Sequence, residues 1–141
     1  MTVAVDRELN PSQPISALGA HGWLAVAGGA SLGAGAIHAA AIGVHAEHRQ
    51  AVIAFTAVAV VQLAWAAVLL TRPGRWVENV GALATLGVIG GWARAKTTGI
   101  AFVDGLEQAE AVQRADGLAA GLAVVAVLAV LANRLEIGRS G

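Results

Sequence analysis

Ala51–Leu70 reads AVIAFTAVAVVQLAWAAVLL, and not one of these residues is charged. At about 1.5 Å of rise per residue such a helix is about 30 Å long, the thickness of a bilayer's hydrocarbon. Its residues are apolar in succession instead of switching polarity, which excludes the strands of a membrane β-barrel. A helix remains, because backbone groups in lipid must be satisfied within their own segment. Working outward, Gly22–Val44 also lacks a formal charge, and a further uncharged core runs from Gly117 to Asn133. Between them only Asn79–Ala93 is uncharged, so a crossing there requires Trp76, Glu78, Arg94 and Lys96 to sit at the interfaces or snorkel towards them. The reading is an all-α membrane protein: four transmembrane helices in an up-and-down bundle within residues 21–135, with spans at about 22–44, 51–70, 76–95 and 115–135. Residues 1–20 are expected to form a disordered or interfacial tail, not a signal peptide, since no basic start feeds a short apolar stretch. Residues 136–141 are expected to be a C-terminal tail.

Composition agrees. Of 141 residues 57% are hydrophobic and 13% charged, half the charge of an ordinary soluble domain. Nine Lys and Arg balance nine Asp and Glu, so no basic field exists to gather nucleic acid. There is no Cys, which excludes disulfides, thiolate metal sites and a thiol nucleophile. The lipid bilayer is the expected environment, with other membrane subunits or further copies of the chain as partners.

Glycines recur at four-residue spacing, Gly29 with Gly33, Gly87 with Gly91 and Gly117 with Gly121, a pattern that lets helix backbones approach closely in lipid. The string Gly28–Gly35 lacks a preceding strand and phosphate-binding spacing, so it is no nucleotide loop. Gln62 and Thr85, both deep in the bundle, are expected to share a hydrogen bond. For orientation, Arg7, Arg72, Arg75, Arg134 and Arg139 stand against Arg49, Arg94, Lys96 and Arg114. This bias, with Arg72 and Arg75 in one short loop, puts both termini in the cytoplasm of a multi-pass protein of the inner (plasma) membrane. Trp23, Trp65 and Trp76 then belong to one interfacial belt and Trp92 to the other.

Chemistry concentrates in Ile37–Arg49, IHAAAIGVHAEHR. His38 and His45 are about 700° apart on a helix, roughly 20° short of two turns, and so share a face. His48 joins them if the helix continues. Glu47 points about 180° away from His38. Imidazole is the commonest ligand for transition metals, and carboxylates on the same side complement it: Asp116, opening the fourth span, and Glu110 in the loop before it, with Asp104 and Glu107 near. The expected metal set is His38, His45, His48, Glu110 and Asp116, with copper or zinc as the ion. In the competing reading the same residues are only satisfied or solvated interfacial groups. A haem held by two His within one protomer is excluded because the His at membrane level sit on one helix. A proton-coupled transporter needs a mid-membrane carboxylate, and none of the nine acids is there. A Ser nucleophile lacks both an elbow and a neighbouring base.

The stretches IHAAAIGVHAEH, VVQLAWAAVLLTRPGR and ARAKTTGIAFVDGLEQAEAVQRADGLAAGLA resemble uncharacterised four-helix membrane proteins of actinobacteria. The shared marks are the His-rich end of the first helix, Gln-Leu-x-Trp-Ala (Gln62 to Ala66), a Thr-Gly-Ile turn after the third helix, and Ala115-Asp116 opening the fourth. The likeness covers about Ile37–Ala120, and Ala101 stands where the turn usually has Pro. It implies the four-helix fold and the His and carboxylate cluster, and no activity. The expected function is metal binding at the extracytoplasmic end of the bundle, as an accessory subunit or metal handler of a larger membrane complex. The alternatives are a purely structural subunit packed through glycine faces, and a metalloenzyme in its own right, for which a chain this small has little room.

Overall fold

The computed structural model describes residues 20–139; the expected N-terminal tail, Ser140 and Gly141 lie outside the described residues, as do the side chains of Ala20, His21 and Arg139. Four helices occur in order: α1 (Ala20–Val44), α2 (Arg49–Thr71), α3 (Arg75–Thr97) and α4 (Arg114–Arg139). No strand occurs among the described residues. Three of the helices, α1, α2 and α4, are long and apolar enough to cross a membrane. α3 equals α2 in length but carries Arg75, Glu78, Arg94 and Lys96 at its two ends. α4 continues past Leu135, so most of the expected C-terminal tail is helix.

The chain reverses where helix-breaking chemistry requires it. α1 stops at Val44, and the next turn is closed by His48 N–H donating to the His45 carbonyl at 2.9 Å. Pro73 and Gly74 separate α2 from α3, with Gly74 extended as the N-cap. The loop 98–113 folds on itself through Ile100 N–H to Leu106 O at 2.6 Å. Gly99 and Gly105 adopt φ of +74° and +86°, and neither could be replaced freely: a Cβ on Gly99 would strike the Glu107 carbonyl, and one on Gly105 the His48 ring.

α1 is the central element, packed extensively on both α2 and α4; α3 leans mainly on α4, touches α2 less and, among the described residues, does not contact α1. The buried positions are mostly small, including Ala27, Ala30, Ala34, Ala59, Ala66, Ala123 and Ala126, while Val60, Leu83, Leu118 and Leu128 are exposed. A water-soluble bundle arranges these sizes the other way; small residues inside and large apolar ones outside suit lipid.

At one end the helices interlock. Leu24, Trp65, Leu69 and Val130 form the main core with interleaved alanines. Trp65 is buried against α3, its Nε1–H donating to the Val77 carbonyl at 2.9 Å. A Cβ on Gly81 would overlap its indole. Trp23 Nε1–H donates to Glu136 Oε1 at 2.8 Å, joining the start of α1 to the end of α4. Glu78, expected to sit at the interface or snorkel towards it, is in the first turn of α3, 4% exposed, and pairs with Arg134 Nε at 2.8 Å. Asn133 Nδ2 also donates to it, and Arg134 reaches the Arg75 carbonyl and Asn79.

The glycine pairs behave differently from expectation. Gly33 meets Leu122 and Gly117 meets Val112, but Gly29, Gly87, Gly91 and Gly121 have nothing near a notional Cβ. The close approaches belong to Gly28 against Leu70, Gly35 against Leu63 and Gly81 against Trp65. Four-residue spacing defines a face, and the neighbour decides which face is used.

Candidate functional site

Towards the loop end the same helices leave space. The face of α3 turned to this space carries Ala84, Gly87, Val88, Gly91 and Ala95. α2 contributes Ala54, Phe55, Ala57, Val58 and Val61; α1 contributes Ile37, Ala40, Ala41 and Val44. Alanine and glycine predominate on these faces, and a cavity of about 710 Å³ remains, within the roughly 300–1,000 Å³ of small-molecule sites. From Ala84 to Lys96 the cavity runs along α3 for about 18 Å of helical rise.

Polarity is graded along that axis. The deep wall is hydrocarbon apart from His38, while the loop end carries His45, Trp92, Lys96, Glu110, Gln113 and Asp116. Lys96 Nζ forms an ion pair with Asp116 Oδ2, lies 3.5 Å from Glu110 Oε2 and donates to the Ala111 carbonyl at 3.4 Å. Only 12% of its side chain is exposed, so these contacts replace most of its hydration. Asp116 Oδ1 and Trp92 Nε1 are buried and have no hydrogen-bond partner.

Both cavity histidines are oriented by the backbone of their own helix. His38 Nδ1–H donates to the Ala34 carbonyl at 2.9 Å and shares that proton with Gln62 Oε1, also at 2.9 Å. His45 Nδ1–H donates to the Ala41 carbonyl at 3.0 Å, and its ring packs on Phe55 with centroids 4.6 Å apart. A carbonyl oxygen only accepts, so in each neutral ring Nε2 keeps the lone pair.

The residues expected to share a metal are thus distributed among different partners. His38 and His45 are on the cavity wall, as their spacing requires. His48 leaves them, because α1 ends at Val44 and His48 instead caps α2; it faces Asp104 at 3.4 Å beneath Gly105. Glu110 and Asp116 reach the cavity but are drawn to Lys96. No group of three His, Asp or Glu side chains able to hold a metal ion occurs among the described residues. Glu47 is exposed, as expected, but it stands in the turn after α1 and not on the helix face from which that was argued. Gln62 and Thr85 do not bond to each other: Gln62 Oε1 meets His38, and the Thr85 hydroxyl donates to the Gly81 carbonyl at 2.8 Å.

Lys96, Trp92 and Phe55 are site residues that sequence reasoning passes over. The available signal for Lys96 is its position: a cation closing α3 and an anion opening α4 flank one loop. Compared with protein-family profiles, characterised proteins and solved structures, the chain shows no significant match.

Proposed function

We propose that all four helices cross the bilayer as an up-and-down bundle with both termini in the cytoplasm, and that the protein holds a small lipid-like molecule in the cavity at the extracytoplasmic end. The cavity carries this reading: it is bounded by four helices, apolar for most of its length, and polar at one end only. α3 becomes able to cross because two of its four charges are matched on neighbouring elements, Glu78 by Arg134, and Lys96 by Asp116 and Glu110, while Arg75 and Arg94 lie at its ends. The inversion of residue sizes, with leucine outside and alanine inside, supports lipid as the solvent.

Native mass spectrometry of protein reconstituted from a membrane lipid extract tests the binding. A single small-molecule adduct is expected, lost when Gly87→Leu and Gly91→Leu together fill the cavity while helicity is kept. Adducts identical in both proteins overturn the reading. The topology is tested on this cysteine-free chain by Ala109→Cys and Ser140→Cys. A membrane-impermeant thiol reagent should label only the first in intact cells.

Metal handling keeps a narrower basis, the two Nε2 lone pairs of His38 and His45 on α1, which line the cavity that Asp116 of α4 also lines. Stoichiometric copper or zinc that disappears in His38→Ala would establish it; metal-free protein after equilibration with either ion removes it.

A further inference from the structure

Three of the four seams around the cavity are closed by interlocking groups. α1 meets α2 at Gly28 with Leu70 and Gly35 with Leu63, and it meets α4 at Gly33 with Leu122. α3 is tied to α4 towards both ends, by Glu78 with Arg134 and by Lys96 with Asp116. The seam between α2 and α3 is held at the closed end, where Trp65 rests on Gly81 and donates to the Val77 carbonyl. Counting outward from that contact along the antiparallel pair, Ala57 comes level with Gly87. There the seam is open. A Cβ on Gly87 or Gly91 would meet nothing within 4 Å, Ala57, Val61, Gly87 and Gly91 are exposed, and α2 touches α3 less than any other adjoining pair of helices touch. Two helices pinned at one end and apart at the other leave a slot between them.

The aqueous end of the cavity is roofed instead. Loop 98–113 crosses from the end of α3 to the start of α2, where Asp104 N–H donates to Gln50 Oε1 at 2.7 Å and the Asp104 carboxylate faces His48 at 3.4 Å. It returns to α4 past Lys96, which donates to the Ala111 carbonyl. On the way it adds the half-buried Ile100 and Leu106 to the cavity wall.

We infer that the cavity is filled from the side, by one acyl chain of a bilayer phospholipid that lies in the leaflet on the loop side and passes between α2 and α3. The inference rests on the reading of the cavity as a lipid-like site. The walls of the slot, Ala54, Ala57 and Val61 opposite Ala84, Gly87 and Gly91, carry no polar side-chain atom. Hydrocarbon passes between them without losing a hydrogen bond, whereas a polar head would be stripped of water with nothing in its place. An acyl chain is dry before it enters, so it gives up no hydration, and filling the void restores dispersion contacts that the bare walls lack. Depth agrees as well. The cavity's rise of about 18 Å along α3 is close to one leaflet's share, about 15 Å, of the bilayer hydrocarbon. The headgroup then stays in its own layer, outside the slot.

The cysteine-free chain allows each opening to be bridged separately. Ala57→Cys with Gly87→Cys spans the seam, and Gln50→Cys with Asp104→Cys ties down the roof. Each full-length variant is treated with a short bismaleimide, or left untreated, in a rigid steroid detergent that has no acyl chain. It is then placed in phosphatidylcholine nanodiscs containing a phosphatidylcholine with a diazirine partway along one chain, and residues labelled on illumination are mapped by mass spectrometry. Label on His38 and Ala41, which line the cavity from α1, is expected in the unaltered protein, lost when the seam is bridged and kept when the roof is bridged. The exposed Leu83 and Leu128 report lipid on the outer surface and should be labelled alike throughout. Each variant is compared with its own unbridged form, and the result on unaltered protein does not depend on how either variant folds. Wall label that survives bridging of the seam or disappears on bridging of the roof overturns side entry. Label confined to the outer surface of the unaltered protein overturns it too; the cavity reading stands if the adduct persists in the native mass spectrum. Gly87→Cys alone joined by the reagent into a covalent dimer, without wall label in the unaltered protein, gives the seam to a second copy and likewise overturns the inference. Neither wall label nor adduct overturns both.

Discussion

The two ends of the bundle are built from the same alanine- and glycine-rich alphabet with opposite results. At the closed end each gap in one helix receives a large side chain from another: Gly81 takes Trp65, Gly28 takes Leu70, and charge is satisfied inside the protein by Glu78 and Arg134. At the loop end Gly87 and Gly91 face no such side chain, and a cavity stands where the closed end has its core. Small residues in a membrane helix do not in themselves specify tight packing. They specify that backbone is exposed to whatever lies opposite, whether an indole or a ligand.

Substitution at matched glycines sharpens that contrast most. Gly81→Leu collides with Trp65 and is expected to cost at least about 3 kcal/mol or prevent folding, whereas Gly91→Leu fills empty volume and should leave the thermal midpoint in nanodiscs nearly unchanged. Equal losses would erase the distinction between the ends. Breaking the buried pair with Glu78→Gln leaves Arg134 without its carboxylate. A loss of about 3 kcal/mol is expected, part of it recovered in E78Q/R134M, read from tryptophan emission on unfolding. The cluster at the other end should matter less, because the carboxylates left behind are 28% exposed at Asp116 and 45% at Glu110: Lys96→Met is expected to cost about 1 kcal/mol and to grow milder as salt is raised. Gly28→Ala against Leu70 should lose about 1 kcal/mol while Gly29→Ala, one residue away and open, is neutral or slightly stabilising. Smallest of all, His48→Ala removes a pair that is half in solvent and should shift stability by about 0.5 kcal/mol or less.

Helix positions are legible in the sequence because each apolar run is bounded by charge or by Pro and Gly, and the observed limits fall close to those expected. The shared face of His38 and His45 is legible too, since their spacing falls just short of two helical turns. His48 escapes because a helix end is set by the turn beyond it. Once the chain bends at His45, three-residue spacing no longer means neighbours. The carboxylates escape for another reason: side and depth in the membrane pair Glu110 and Asp116 with imidazoles across the bundle, whereas a lysine beside the same loop offers a full charge at closer range. Trp65 and the glycine contacts require knowledge of which helices adjoin, which periodicity along one helix does not contain.

The pairing of α3 with α4 bears on biogenesis. On the proposed topology α3 emerges from the ribosome with four charged residues and its three salt-bridge partners still unsynthesised, for Arg134 and Asp116 belong to α4 and Glu110 to the loop before it. It is therefore a poor substrate for lateral release from a translocon by itself. The second hairpin should enter the bilayer as one unit, held back until its last helix arrives, while α1 and α2 are already docked.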